Sequence, residues 1–156
     1  MTDRSVPEYD PLTEIMLLIF QINGRLLEKG DEMVAPLGLS SARWQVLGAI
    51  AMADKPLTIP QIADLMGITR QGSLKQLNRL AEDGFVAQMK NPRHERSPLF
   101  TLTAKGVRAY REAERLQAAW SASLCEALAM DELKVTKRTL EAIFTRLEIP
   151  VPSKGV

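Results

Sequence analysis

The residues with the clearest potential for chemistry are the basic side chains between Thr69 and Arg96. Six Lys and Arg residues in that segment stand against three acidic ones, a local charge of +3, whereas the whole chain has a net charge of only +1. Clustered cations of this kind are needed to bind a phosphate backbone. A solvated surface helix would also carry them, and charge alone favours that interpretation. From Met1 to Val34 seven acidic residues stand against three basic ones, or −4, so that end should repel a polyanion.

The residue types needed for catalysis or metal binding are scarce. The chain has one histidine, His94, and one cysteine, Cys125, whereas metal sites and nucleophile–base pairs need several such groups together. The motifs GxGxxG, GxxxxGK[ST] and HExxH do not occur in it. We interpret His94 as a solvated loop residue. Cys125 is either an oxidation sensor or, as its apolar neighbours favour, a small hydrophobic side chain. The sequence predicts no enzyme, no metal site and no cofactor.

Length and composition indicate one ordinary globular domain. The chain has 156 residues, of which 46% are hydrophobic, and about 100 to 200 residues are typical of a single domain. The first ten residues lack the features of a secretory signal. The longest apolar run, Ile15 to Phe20, is far shorter than the roughly 20 residues of a membrane span. We therefore expect a single domain over residues 1–156, located in the cytoplasm, with no membrane partner.

The basic residues must be positioned by helices, and apolar spacing with capping residues predicts four of them before residue 85. The first runs from about Pro11 to Ala35, and the second follows a Ser40 cap and ends near Asp54. The third lies between Thr58 and Gly67, with Ile62, Ala63 and Leu65 facing the core. A tight Gly67-Ile68-Thr69 turn then leads into the fourth, which is capped by Thr69 and ends at Gly84.

The fourth helix is predicted to bury Leu74, Leu77 and Leu80. The opposite face would carry side chains that can read base edges or bind phosphate. These are Arg70, Gln71, Ser73, Lys75, Gln76 and Arg79. Gln71 and Gln76 are the candidate base readers. Gly72 fits either a close approach of the backbone to DNA or a glycine that is merely tolerated.

After Gly84 the pattern predicts a hairpin with strands at Phe85–Met89 and Leu99–Leu102. The nine residues between them are polar and contain prolines, so this tip should project into solvent. Two long helices follow, one from Thr103 to near Met130 and one after an Asp131 cap. The terminal helices carry more apolar surface than a small winged domain can cover, which indicates either an interface or a self-contained helical subdomain.

A short helix, a glycine turn, a second helix and a basic hairpin, in that order between Thr58 and Leu102, form a winged helix-turn-helix. At these residues the chain resembles the MarR family of bacterial transcriptional regulators, along nearly its whole length. The matching segments are Leu39-Ser40, Trp44-Gln45-Val46-Leu47, Ile62-Ala63, Gly67-Ile68-Thr69, Leu80-Ala81-Glu82-Asp83-Gly84-Phe85-Val86 and Leu102-Thr103-Ala104-Lys105-Gly106.

The most specific match is the wing, where the family commonly has Asp-x-Arg-x-x-Arg. This chain has Asn91-Pro92-Arg93-His94-Glu95-Arg96. Asn91 can still fold back on the turn through its side-chain oxygen, but it cannot make the charged contact to an arginine that an aspartate would. We expect either a looser wing or one more uncompensated positive charge.

The resemblance implies a mainly α fold with a small β-wing, in which a winged helix-turn-helix at about residues 39–102 lies between dimerisation helices at about 11–35 and 104–148. The implied DNA-binding residues are Thr69, Arg70, Gln71, Ser73, Lys75, Gln76, Arg79, Asn91, Arg93 and Arg96. The expected dimer interface contains Leu18, Ile22, Leu140, Ile143, Phe144 and Leu147. An effector pocket would be lined by Met16, Phe20, Trp44 and Leu47, which equally fit a plain core.

The function that the resemblance implies is a homodimeric repressor, less often an activator, that binds a pseudo-palindromic operator in double-stranded DNA. A small effector, often aromatic or phenolic, would release it. Two alternatives stay open: a cysteine-based redox-responsive regulator acting on the same DNA, and a winged-helix protein-interaction module that does not bind DNA.

Overall fold

The computed structural model describes residues 10–53 and 55–148, which form helices around a small sheet. The helices are α1 (Pro11–Val34), α2 (Ser41–Met52), α3 (Ile59–Met66), α4 (Arg70–Glu82), α5 (Ala104–Cys125) and α6 (Met130–Arg146). The strands are β1 (Leu57–Thr58), β2 (Val86–Met89) and β3 (Leu99–Leu102). The predicted ends of the first four helices agree with these bounds to within about two residues, except that the predicted end of α2 at Asp54 lies outside the described residues.

Helix α1 begins at Asp10, whose carboxylate accepts hydrogen bonds from the backbone N–H of Leu12 (3.0 Å) and of Thr13 (3.2 Å). The hydrogen bond from the Thr13 hydroxyl to this carboxylate is the main cause that lowers the pKa of Asp10 below 3.8. At its other end α1 passes into a short 3₁₀ turn, Ala35–Leu37. The charged carboxylate therefore satisfies two of the free N–H groups that every helix start presents.

The second half of α1 packs closely against the start of α2. The Ser41 hydroxyl donates to the carbonyl oxygen of Leu27 (2.6 Å), and the Ser41 N–H donates to the carboxylate of Asp31 (2.6 Å). A Cβ at Gly30 would overlap the Ser41 hydroxyl oxygen. The absence of a side chain at Gly30 is thus what allows the two helices to approach, and two hydrogen bonds then hold them together.

The core lies between these helices and the sheet. Val34, Leu47, Ile62, Leu77 and Leu80 have no exposed surface, and they come from α1, α2, α3 and α4. The sheet adds buried residues from β1 and β3, and α5 adds Ala113. Helix-turn-helix and sheet therefore share one core, so the orientation of α4 is fixed by packing on several elements.

The sheet has the strand order β1-β3-β2 and is antiparallel throughout. The hairpin predicted from the sequence pairs Val86 with Leu102 and Met89 with Leu99. Strand β1 was not predicted, because it has only two residues and exists through its pairing of Leu57 with Phe100. The half of β3 next to the wing tip is thereby attached to the segment that leads directly into α3.

The start of α5 is joined to the end of α4 by a compact set of contacts. The Thr103 hydroxyl donates to the carbonyl oxygen of Gly84 (2.6 Å) and accepts from the N–H of Gly106 (3.1 Å). A Cβ at Gly106 would overlap the carbonyl oxygen of Phe85. The Lys105 ammonium donates to the carbonyl oxygen of Asp83 (2.6 Å) and lies 4.4 Å from the centre of the Phe85 ring.

The chain divides into two compact units, residues 1–116 and 117–156, so that α5 begins in the first and ends in the second. Two predicted boundaries in the second unit are wrong. Helix α5 ends at Cys125 and not near Met130, and α6 is preceded by Ala129 without a side-chain cap, so that Asp131 lies inside its first turn. The Asp131 carboxylate still suits the positive end of the helix dipole there. Among the helices of residues 10–53 and 55–148, none is long and apolar enough to cross a membrane.

Candidate nucleic-acid interface

Local capping determines the geometry of the α3–turn–α4 segment. The Thr58 N–H donates to the side-chain oxygen of Gln61 (2.9 Å) while the Gln61 N–H donates to the Thr58 hydroxyl (3.5 Å), which is a complete capping box. Gly67 ends α3 with φ of +62°, a conformation that favours glycine. The Thr69 hydroxyl then accepts from the N–H of Gly72 (3.0 Å) and begins α4. The predicted helix-turn-helix and both of its caps are confirmed.

The buried face of α4 differs from the predicted one at two adjacent positions. Leu77 and Leu80 are buried as predicted, but the third buried residue is Ser73, and Leu74 is 41% exposed. Ser73 therefore cannot contact DNA in this structure, and its assignment to the exposed face is wrong. On α3 the predicted inward position of Leu65 is wrong as well, because Leu65 is 58% exposed.

The exposed face of α4 combines cations, amides and one leucine. Its exposed residues before Ala81 and Glu82, which are exposed at the end of the helix, are Arg70, Gln71, Leu74, Lys75, Asn78 and Arg79. Gln76 is half-buried. Asn78 and Leu74 were missed by the sequence reasoning. At about 100° of rotation per residue, positions 73, 77 and 80 span an arc of about 60° and positions 74, 77 and 80 one of about 120°, so the helical angles already favoured the observed face.

Three charged side chains tie the end of α4 to α2. One carboxylate oxygen of Asp83 lies 3.0 Å from a guanidinium nitrogen of Arg43 and 3.2 Å from one of Arg79. A second guanidinium nitrogen of Arg79 lies 3.4 Å from Glu82. Arg43 and Asp83 are mostly buried, at 19% and 27% side-chain exposure, so water screens their contact less than a surface pair. Asp83 thus holds α4 against α2 and orients the guanidinium of Arg79.

The two remaining cations of α4 are free to bind an anion. Among the residues that the structure describes, no carboxylate lies within ion-pair distance of Arg70 or Lys75. Both are exposed. Their full charge is therefore available to a phosphate, whereas the charge of Arg79 is shared with two acids.

Asn91 closes the wing tip through both ends of its side-chain amide. Its nitrogen donates to the carbonyl oxygen of Ser97 across the tip (2.8 Å), and its oxygen accepts from the N–H of Arg93 (3.1 Å). The backbone adds bonds from His94 to Asn91 (3.2 Å) and from Ser97 to His94 (3.0 Å). A carboxylate at this position could accept but could not donate. The predicted folding back of the Asn91 oxygen is confirmed, and the bond to Ser97 ties the tip together instead of leaving it loose.

The wing presents its cations without partners. Arg93 and Arg96 are exposed, as is Lys90, and within residues 10–53 and 55–148 none of the three has a carboxylate at ion-pair distance. His94 is also exposed, which agrees with a solvated loop residue. The wing therefore offers three uncompensated cations on a hydrogen-bonded loop.

The residues predicted for an interface between subunits expose apolar side chains in each unit. In the first unit Leu18 and Ile22 are exposed on α1. In the second unit Leu140, Phe144 and Leu147 are exposed, and Ile143 is half-buried. Exposed apolar side chains that are grouped on one element often mark an interaction surface.

The four residues predicted for an effector pocket differ strongly in burial. Leu47 is wholly buried and offers a ligand no surface in this structure, and Trp44 is half-buried against the same core. Met16 and Phe20 lie on the exposed face of α1, where Phe20 is 72% exposed. Leu47 thus has the role of a core residue.

Other candidate chemistry finds little support. No group of three or more His, Cys, Asp or Glu residues in the described part of the chain is arranged to hold a metal ion. Cys125, at the end of α5, is exposed, so the expectation that it packs as a small hydrophobic residue is wrong for the single chain. The pKa of Tyr110 on α5 is raised, mainly by burial and further by the nearby carboxylate of Glu114, and this tyrosine packs against the core.

Comparison with known sequences points to one family. A family model described as MarR family matches residues 37–97. The uncharacterized protein Rv2011c of Mycobacterium tuberculosis is 30% identical over 143 residues, which cover 92% of this chain and 99% of that protein. The uncharacterized HTH-type transcriptional regulator YwoH of Bacillus subtilis is 32% identical over 98 residues, which cover 61% of this chain and 70% of YwoH.

Comparison with solved structures gives the same fold. A mutant of MarR from E. coli in complex with operator DNA matches with a TM-score of 0.75 at 23% identity, covering 86% of this chain and 99% of that one. The PcaV transcriptional regulator from Streptomyces coelicolor, in complex with its natural ligand, matches with a TM-score of 0.76 at 21% identity, covering 90% and 98%. The predicted fold, mainly α with a small β-wing, is confirmed.

Proposed function

Because the chain belongs to the MarR family of transcriptional regulators, we propose that it is a homodimeric repressor that binds a pseudo-palindromic operator and is released by a small effector. It acts as one MarR-like unit over residues 1–156, with a DNA-binding region at about 39–102 and dimerisation helices at about 11–35 and 104–148. In this proposal the protein works in the cytoplasm, has no enzymatic activity and needs no cofactor.

One observation carries the DNA-binding part of the proposal. Exposed cations without acidic partners occur both on α4, at Arg70 and Lys75, and on the wing, at Arg93 and Arg96. Helix α4 has the length and the amide side chains to read base edges in a major groove, and a winged hairpin can contact the neighbouring backbone. Thr69, Gln71, Gln76, Arg79 and Asn91 belong to the same proposed surface.

The dimer and the effector follow from the apolar surface. Pairing of two copies would cover the exposed side chains of α1 and α6, and a symmetric dimer places two reading helices on the two halves of a palindrome. The aromatic residues Phe20 and Trp44, with Met16, are the candidate contacts for an aromatic or phenolic effector. PcaV, which was solved with its natural ligand, supports an effector for this chain too.

The test is binding of the protein to random duplex DNA and to the DNA upstream of its own gene, by fluorescence anisotropy across a salt series. A dimer that neutralises roughly six to eight phosphates should give a slope of log affinity against log salt of about −5 to −7. Binding should be tighter to the upstream fragment. Absence of salt-dependent binding to either duplex would favour the protein-interaction module.

Variants separate phosphate contacts from base reading. Arg93→Ala and Arg96→Ala should weaken binding to both duplexes alike and reduce the salt slope by about 1 per protomer, whereas Gln76→Ala should mainly relax the preference at one base. Arg25→Ala is the matched control, because it removes an exposed arginine from the acidic first helix. It should change neither the affinity for the two duplexes nor the salt slope. Equal effects of the three interface variants on specific and random DNA would contradict the assignment.

The exposure of Cys125 keeps the redox-responsive alternative testable with the same assay. If peroxide releases the wild type from DNA and Cys125→Ser abolishes that release, the cysteine-based regulator replaces the small-effector proposal.

A further inference from the structure

Two neighbouring residues of α4 lie in environments opposite to those that their polarity predicts: the polar one is buried and the apolar one is exposed. Ser73 is wholly buried and, within the described residues, its hydroxyl has no hydrogen-bond partner. Leu74 is 41% exposed, although Leu77 and Leu80 on the same helix are wholly buried. Both departures cost free energy, because a buried hydroxyl loses its water and an exposed leucine keeps apolar surface in water. Departures from local rules of this kind concentrate at functional sites.

The surroundings of Leu74 are those of a DNA-facing surface. One helical turn away lie Arg70 and Gln71 on one side and Asn78 on the other, all of them exposed. Helix α4 holds no acidic residue before Glu82. Leu74 is thus an apolar side chain set among cations and amides on the helix proposed to enter the major groove, a charge pattern that suits a polyanion.

We propose that Leu74 contacts the 5-methyl group of a thymine and is a specificity-determining residue of operator recognition. This inference rests on the proposed DNA-binding function. Thymine is the base that presents a methyl group in the major groove, and an apolar side chain is what contacts it favourably, whereas the neighbouring amides and cations read hydrogen-bonding edges. Burial of the methyl group against Leu74 removes apolar surface of both partners from water.

The experiment removes the methyl group from the DNA. An operator is first selected from a random duplex pool with the wild-type protein, and each of its thymines is then replaced by uracil, which lacks only that methyl. One thymine per half-site should prove sensitive. Loss of one buried methyl-sized group corresponds to an affinity loss of about fourfold, so replacement in both half-sites should weaken the dimer about fifteenfold.

Leu74→Ala should bind the thymine and uracil operators equally, while its affinity for random duplex DNA stays at the wild-type level. Leu65→Ala is the matched control, since it truncates the other exposed leucine of the motif, on α3, and should keep the full sensitivity to uracil. Because Leu74 is not a core residue, the variant should fold, and unchanged binding to random DNA verifies this.

The outcomes separate this inference from the function on which it rests. The role of Leu74 is overturned, and DNA binding stands, in either of two cases. In the first, replacing thymine by uracil in the operator weakens binding of the wild type and of Leu74→Ala by the same factor. In the second, replacement of no thymine weakens binding of the wild type. A change of oligomeric state in Leu74→Ala would overturn it too, by showing that Leu74 contacts protein. If neither protein binds any duplex, both the function and the inference fail.

Discussion

Substitution of Ser73 by alanine should stabilise the protein. The hydroxyl is wholly buried and has no hydrogen-bond partner in the described structure, and an unsatisfied buried group of this kind costs about 1–3 kcal/mol. Alanine also has a helix propensity that is better than that of serine by about 0.5 kcal/mol, while loss of the oxygen leaves only a small void. We expect a net gain in the free energy of unfolding of about 1–2 kcal/mol.

The measurement is urea unfolding followed by circular dichroism, at one protein concentration because the stability of the proposed dimer would depend on concentration. The midpoint should rise by about 0.5–1 M with an unchanged m-value, and Tm should rise by about 3–6 °C. Affinity for DNA should not change, since the hydroxyl does not reach the surface.

Ser41, the second buried serine of the described residues, offers a matched control. The Ser41 hydroxyl donates to the carbonyl oxygen of Leu27 at 2.6 Å, so Ser41→Ala should lose a hydrogen bond and destabilise the protein by about 1 kcal/mol. Substitution of serine by alanine should therefore raise the free energy of unfolding at position 73 and lower it at position 41. If Ser73→Ala destabilises the protein as Ser41→Ala does, the Ser73 hydroxyl has a partner and the reasoning is refuted.

Three further predictions concern a helix junction, the wing and a helix cap. Gly106→Ala should destabilise the protein by about 3 kcal/mol in urea unfolding, because its Cβ would overlap the Phe85 carbonyl oxygen. Asn91→Asp should increase tryptic cleavage in the wing tip about fivefold, since it removes a donated hydrogen bond worth about 1 kcal/mol. The hydrogen bond from the Thr13 hydroxyl stabilises the carboxylate of Asp10 and lowers its folded pKa. The start of α1 should therefore fray as the pH falls below 3.8 and through this lower folded pKa, because the cap is lost when Asp10 is protonated. Amide chemical shifts of the first turn report this.

Each of these has its own control. Gly24→Ala should stabilise α1 by up to about 1 kcal/mol, because a Cβ there meets nothing within 4 Å. If Gly24→Ala and Gly106→Ala lower the free energy of unfolding equally, the steric argument is refuted. His94→Ala lies in the same tip and should leave cleavage unchanged, so faster cleavage of both variants would show a generally loose wing. Asp10→Asn should keep its cap at low pH, and identical fraying of this variant would assign the acid effect to another group.

Features decided by neighbouring residues were predictable from the sequence. The caps at Ser40, Thr58 and Thr69 are present as predicted, because a hydroxyl and the N–H it serves lie within three residues of each other. The basic wing was predicted on the same local grounds, from its composition between two apolar strands. The position of the candidate interface in the chain therefore follows from the amino-acid sequence alone.

Features decided by distant contacts were not predictable in the same way. Strand β1 exists only because Leu57 meets Phe100, a pairing that two residues of sequence do not reveal. The burial of Ser73 in place of Leu74 is different, because the helical angles of positions 73, 77 and 80 already favour it. The bridge between Arg43 and Asp83 joins residues forty positions apart, and no local pattern indicates it.

The position of β3 between β1 and β2 gives the wing a mechanical connection to the helix-turn-helix. A force applied to the tip reaches Leu99 and Phe100 of β3, whose backbone partners are Thr58 and Leu57, the two residues directly before α3. The loop at residues 90–98 can move by itself, because the strand pairs end at Met89 and Leu99, but the adjoining end of β3 cannot move without pulling on the segment before α3. A displacement of the wing is therefore passed to the helix-turn-helix, so that the two parts of the proposed DNA-binding surface move together.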